Sequence, residues 1–301
     1  MCPGNPSEGD LQIWENYFVE YEEEQITKLI DEAVPDDWRS LKLNLYNLAN
    51  QLPLLYEKIR TNPILELEHG EFILQRIVEG RGGQFNINLQ FTDLPDESYK
   101  DPAKISVKDL GKLIWFDSIP SEIFSIRPWH KIAAWRCLSC QTITLKENKV
   151  GVSISRPLFC ENNNGGCGAI NEELLTDVML IYEYESPNKK KLTTFELVPY
   201  YGTLLDYRPL RLIDASMISP KFKGLKSKGK HSIFSIAIGP IAHVMKSHRM
   251  VRVTGQINIS GDGRSFEFEI LGVRKVPDER KDEILSDGAE QSSVTNANEE
   301  E

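Results

Sequence analysis

Cys137-Leu-Ser-Cys140, followed after nineteen intervening residues by Cys160-Glu-Asn-Asn-Asn-Gly-Gly-Cys167, is the stretch that decides how this chain is organised. A C-x2-C pair bends the backbone around a metal and supplies two thiolates. Four thiolates fill the tetrahedral shell of zinc and leave no open position, so the expected ion is structural rather than catalytic. The second pair is spaced more widely, and Gly165, Gly166 and Gly168 permit the tight backbone path that this loop needs. The competing reading is free thiols or a redox pair. The number and pairing of the cysteines in a reducing compartment favour metal. The reading is therefore a structural Zn2+ on Cys137, Cys140, Cys160 and Cys167, with Cys2 outside the set.

The reducing compartment is itself an expectation. Met1 to Asp10 is polar and lacks the basic start and apolar centre of a signal peptide. No run of 18 apolar residues occurs, so no membrane span is expected. The expected location is cytoplasmic, nucleoid-associated in a prokaryote or nuclear in a eukaryote. The formal net charge of -10 argues at first against nucleic acid. Its distribution reverses the argument. Residues 1–100 carry 19 acidic and 8 basic side chains, residues 101–276 carry 17 and 25, and residues 277–301 carry 9 and 2. Phosphate binding needs local positive charge, not a positive total, although a solvated surface with uneven charge gives the same count.

Outward from the cysteines, the pattern is β on both sides and helical at the N-terminus. Ile13, Trp14, Tyr17, Phe18 and Tyr21 recur at helical spacing, and Asn62-Pro63 marks a break before another helix through Phe72, Ile73 and Ile77. Residues 11–80 therefore read as mainly helical, up to the turn Gly80-Arg81-Gly82-Gly83. Phe85, Ile87, Leu89 and Phe91 then alternate with polar residues. Leu113 to Ile119, Ile132 to Trp135, Val178 to Tyr184, Thr193 to Val198, Ser232 to Ile238, Val251 to Ile259 and Ser265 to Val273 also read as strands. The expected class is α+β: a helical subdomain over 1–82, an OB-fold β-barrel over 83–135 and 171–276, an inserted zinc ribbon over 136–170, and a disordered acidic tail over 277–301.

Catalytic constellations are missing. Gly224-Leu-Lys-Ser-Lys-Gly229-Lys230-His231 nearly spells a phosphate-binding P-loop, but His231 stands where magnesium needs Ser or Thr, and no apolar strand precedes it. No Gly-x-Ser-x-Gly elbow occurs, and the five histidines form no paired motif. The expectation is a non-enzyme. The near-P-loop reads instead as a basic loop bearing Lys221, Lys223, Lys226, Lys228 and Lys230. Aromatic and basic residues interleave at Arg127-Pro128-Trp129-His130-Lys131 and at Tyr207-Arg208, the mixture with which OB barrels hold single strands. Core packing of Trp129 and Tyr207 is the competing explanation. Arg127, Lys131, Arg208, the five lysines and Arg264 are the candidate phosphate contacts.

The order of these features resembles the N-terminal domain of the minichromosome maintenance (MCM) replicative helicases, from about Trp14 to Val276. Ser40 to Leu48 followed by Asn62-Pro63 looks like the family's helical subdomain. Asp109 to Leu113 and Ile126-Arg127-Pro128 look like its first barrel segment. The cysteines arrive where the family places its zinc ribbon, Leu205-Asp206-Tyr207 resembles the re-entry into the barrel, and Val251-Arg-Val-Thr-Gly255 is similar to a late barrel strand. The resemblance implies DNA binding in replication, with ATPase chemistry confined to a separate AAA+ motor that this sequence does not include. It implies a homo-oligomer, a hexameric ring being one form, and a full-length MCM helicase as a further candidate partner. The rival is a truncated interaction module that joins or regulates such a ring without binding DNA. The sequence departs from the family at Ser118, at Ser247-His248-Arg249 and in the short turn Gly261-Asp262-Gly263-Arg264. That turn stands where the family's DNA-facing hairpin is longer and more basic.

Overall fold

The structure is a computed structural model and describes residues 8–33, 38–150, 154–160, 166–174, 192–198, 204–215, 232–245, 249–260, 263 and 265–276. Helices α1 (Glu8–Tyr21) and α2 (Glu23–Asp31) begin the N-terminal unit. Trp14, Tyr17 and Phe18, three and four residues apart, fall on one face of α1 and are buried together. The rings of Trp14 and Phe18 stack at 5.5 Å between centroids. Strand β1 (Trp38–Asn44) ends at Asn44, whose side chain accepts from the Asn47 amide at 2.9 Å and caps α3 (Leu45–Gln51). Pro53 and Pro63 open α4 (Pro53–Thr61) and α5 (Pro63–Gly80), where a missing N–H costs nothing. Strand β2 (Asn86–Thr92) then returns parallel to β1, the three helices forming the crossover.

Two expectations change here. Ser40 to Leu48, expected within a helical subdomain, is half strand and half helix. Strand β2, expected to open the barrel, pairs with β1 and completes the helical unit's own two-stranded sheet.

The barrel starts at β3 (Leu113–Ile123), beyond which β4 (Arg127–His130) leads out of it. An insertion follows, holding β5 (Ile132–Cys137), β6 (Ile143–Glu147), β7 (Ile170–Asn171), β8 (Leu192–Thr193) and β9 (Phe195–Val198). The chain re-enters as β10 (Leu204–Asp214) and β11 (Ser232–Ile238), turns through the short α6 (Pro240–Val244), and finishes as β12 (Val251–Ile259) and β13 (Phe266–Lys275). Around the barrel the order is β3-β10-β11-β13-β12 and back to β3. Every pair is antiparallel except β11 with β13. Numbered as barrel strands, this is 1-2-3-5-4-1 with a helix between the third and fourth, the order of an oligonucleotide-binding barrel. Phe116 and Phe268 meet in its core at 5.0 Å.

The barrel and the helical unit approach backbone to backbone. A Cβ at Gly272 of β13 would lie 1.9 Å from the Phe91 carbonyl oxygen of β2, so only glycine fits this junction.

The insertion is larger than its cysteines. Strands β5 and β9 were expected in the two barrel segments. They flank each other in a separate sheet, β6-β5-β9, so the inserted sheet that carries the cysteines, called the ribbon below, takes in Ile132–Cys137 and Phe195–Val198. The strand expected at Val178 to Tyr184 and the acidic tail lie outside the described residues.

Candidate metal centre and nucleic-acid face

Cys137 is the last residue of β5, and the chain reverses directly after it. The Gln141 amide donates to the Cys137 carbonyl at 2.8 Å, and the Cys137 amide to Thr142 at 2.9 Å. Gln141 takes a φ of +62°, the left-handed conformation that tightens such a turn. This brings Cys140 beside Cys137. On the other side, the Cys160 amide donates to Ala169 at 2.9 Å and the Gly168 amide to Cys160 at 3.2 Å, with Gly168 at φ +66°. The second turn thus folds Cys167 back over Cys160. Gly165, one of the glycines invoked for this loop, lies outside the described residues.

All four sulfur atoms lie within 4.8 Å of one another, so the cluster can hold a metal ion. Cys137 and Cys167 are 3.8 Å apart, and Cys140 and Cys160 are 3.4 Å apart. A disulfide would draw a pair to about 2.0 Å. Tetrahedral zinc with bonds of about 2.3 Å has an S···S edge of about 3.8 Å. The spacing fits a shared ion and not two disulfides. The local field favours thiolate on one side: the Thr142 hydroxyl, 3.1 Å from Cys140 Sγ, with backbone amides brings that thiol down to about 5. Burial, with the neighbouring sulfurs, pushes Cys160 up to about 12. A cation among the four sulfurs would stabilise both as thiolates. Trp135, Phe195 and Ala133 pack around the buried pair Cys137 and Cys160, and Arg156 stacks over Trp135 at 5.6 Å.

No protein-family profile matches the chain, and no curated protein sequence does. The architecture does have a counterpart among solved structures: the 1.8 Å crystal structure of the N-terminal domain of an archaeal MCM. It superposes with a TM-score of 0.59 over 90% of this chain and 100% of that one, at 20% identity. The chain has the fold of an MCM N-terminal domain. At that identity the likeness is one of fold.

The candidate phosphate contacts separate on inspection. Arg127 is exposed on β4, opposite Tyr207 of β10. Lys131 is half-buried, its Nζ 2.6 Å from Glu68 Oε1 of α5. Arg208 donates from Nη1 to the Met245 carbonyl at 3.1 Å. Tyr207 is buried, as its core reading anticipated. Trp129 lines a cleft between the units rather than standing free on the surface. Lys221, Lys223, Lys226, Lys228, Lys230 and Arg264 lie outside the described residues. Sequence reading also missed Arg252, which stacks 4.2 Å above Trp115 and grips Asp117 with two hydrogen bonds of 2.8 and 3.0 Å. Arg252 and Asp117 face each other across β12 and β3, a pairing that no local spacing reveals.

Proposed function

We propose that this chain is a non-catalytic module that binds DNA and assembles with copies of itself, its ribbon held by zinc on Cys137, Cys140, Cys160 and Cys167. One observation carries the reading: a barrel of oligonucleotide-binding order, with a four-sulfur ribbon inserted between its first and second strands, in the arrangement of an MCM N-terminal domain. Zinc would supply a closed, four-coordinate cross-link and no site for substrate. DNA replication is the setting that this fold supports, with a ring, a hexamer among its forms, as the assembly. A full-length MCM helicase is the second candidate partner. No described helix is long and apolar enough to cross a membrane.

DNA contact would rest on Arg127, on Lys221, Lys223, Lys226, Lys228 and Lys230, and on Arg264. Lys131 and Arg208 contribute less, because each already has an internal partner. That engagement favours a second reading, an interaction module that joins a helicase ring without touching DNA. The tight turn between β12 and β13 supports the same reading: Ser260 and Ser265 bridge it through an amide–carbonyl bond of 2.9 Å.

A duplex titration over a salt series separates the two. Each neutralised phosphate releases condensed counterions, so about four contacts give a log–log slope near -3 to -4. Replacing Lys223, Lys226 and Lys228 with Ala should flatten the slope and weaken binding to all sequences alike. Absence of binding at low salt, with binding to a full-length helicase retained, would leave the interaction module as the function.

A further inference from the structure

A cleft of about 940 Å³ lies between the helical unit, the barrel and the base of the ribbon. Its size is that of a site for a whole small molecule. The walls are largely apolar: Ile64 and Leu67 from α5, Ile236 from β11, Ile259 from β12, and the indoles of Trp38 and Trp129. Two elements place charge among them. In β13, Phe268 points into the barrel core, so Glu267 and Glu269 on either side of it face the opposite way, into the cleft. In α5, Ile73 and Leu74 are buried in the helical unit, and Glu68 and Glu71, three residues apart, share the side that turns to the cleft. Lys131, Glu147 and Lys149 complete the lining beside the ribbon sheet.

The charges do not cancel. Five carboxyl groups and two ammonium groups line the cleft, an excess of three negative charges when all are ionised. Lys131 is engaged by Glu68, Nζ to Oε1 at 2.6 Å. Glu71 accepts only from neutral donors, Asn88 Nδ2 at 2.6 Å and the Leu89 amide at 3.0 Å. Glu269 accepts from Asn258 Nδ2 at 3.1 Å. These donors fix the direction of each carboxyl group without neutralising it. Lys131 and Glu68 act on both Glu71 and Glu269, so the two carboxyls belong to one cluster spanning the cleft.

We propose that the cleft is a binding site for a linear polyamine, whose ammonium groups meet Glu71 and Glu269 and whose methylene stretches lie on the apolar walls between them. A metal ion would leave those walls unused, and among the described residues only the four cysteines gather closely enough to hold one. An uncharged ligand would leave the carboxyls without a counter-charge. A triamine such as spermidine matches the excess of three charges, and indole rings are favourable neighbours for its ammonium groups. The state of the empty cleft agrees: burial pushes both carboxyls up to about 7, with the charge of Glu267 adding to the effect at Glu269. Of the candidate DNA contacts the site includes only Lys131, and it includes no cysteine. Loss of DNA binding or of zinc would therefore leave this proposal standing.

Calorimetric titration of the full chain with spermidine tests it, without DNA and in about 150 mM salt to screen exposed acids. The expected result is saturable binding of one spermidine per chain, accompanied by a change in tryptophan fluorescence from Trp38 and Trp129. Magnesium at equal concentration, which brings charge without methylenes, should not displace it. The ionised carboxyls hold the ligand, so binding below pH 7 releases protons. Affinity should rise from pH 5 to 7, by up to about tenfold per pH unit for each proton released, and level off above 7. Glu71→Gln and Glu269→Gln keep the side-chain shape and remove the charge. Each should weaken binding about tenfold or more and reduce its pH dependence. If either variant fails to fold, the magnesium competition and the pH series on the unaltered chain still decide. Absence of saturable binding, displacement by equal magnesium, affinity that is flat from pH 5 to 7, or unchanged affinity in both folded variants would each overturn the proposal.

Discussion

The ribbon and the barrel are neighbours in the chain, yet they are held together by different means. The described barrel buries fifteen apolar residues in one cluster, with Phe116 against Phe268 at its centre. The described ribbon gathers only five in its buried cluster, and two of those are the cysteines Cys137 and Cys160. At roughly 1.5–3 kcal/mol for each large apolar side chain removed from water, the barrel can fold on its apolar core. The ribbon cannot. It leaves Leu138, Ile143, Leu145 and Leu197 substantially exposed and closes around four sulfur atoms instead. The difference teaches where stability should be sought: in area for the barrel and, on the proposed zinc reading, in coordination for the ribbon.

The largest expected effect follows from that contrast. Metal binding in a structural four-thiolate site is folding energy, of order 10–16 kcal/mol in isolated zinc modules. Cys137→Ser should leave the amides of β5, β6 and β9 exchanging almost as in an unfolded chain, while β12 and β13 stay protected. Hydrogen exchange resolved by segment checks this, and uniform protection would break the contrast. Next in size is Phe268→Ala in the barrel, expected to cost about 3–5 kcal/mol by urea unfolding. Phe195→Ala in the metal-loaded ribbon should cost clearly less.

Gly272→Ala follows, because its new Cβ would press on the Phe91 carbonyl and force the barrel away from β2. Overpacking of this kind costs about 1–3 kcal/mol. The loss should appear in the same global unfolding transition. Smallest is Thr142→Val, which removes the hydroxyl beside Cys140 Sγ. Loss of such an outer partner should weaken metal affinity about 10-fold or more in a competition with a chromophoric chelator, leaving the barrel untouched.

How much of this was legible depends on range. Cys137, Cys140, Cys160 and Cys167 lie within about thirty residues, so their spacing alone announced the four-sulfur cluster that can hold a metal ion. Strands such as Val251–Ile259 were legible because alternation is local. Which sheet a strand joins was not. Ile87 pairs with Arg39, and Trp135 with Leu197, and nothing near either residue records the partner. Leu41, Leu43, Leu45 and Leu48 misled because a strand period runs directly into a helical one within eight residues. Lys131, between Trp129 and the first cysteine, looked like a phosphate contact. Its true neighbour, Glu68, is 63 residues away. The cleft carboxylates were hidden for a different reason. In a chain with 45 acidic residues, four that converge are indistinguishable from those that do not until α5 and β13 are brought together.

The most direct test of a ribbon held by coordination is the native mass of the purified protein, recorded before and after acid release of metal. The expected result is one zinc per chain, with four protons missing from the cysteines, and selective loss of structure between 132 and 198 once the metal is gone. A metal-free chain with four titratable thiols and an ordered ribbon would contradict the account.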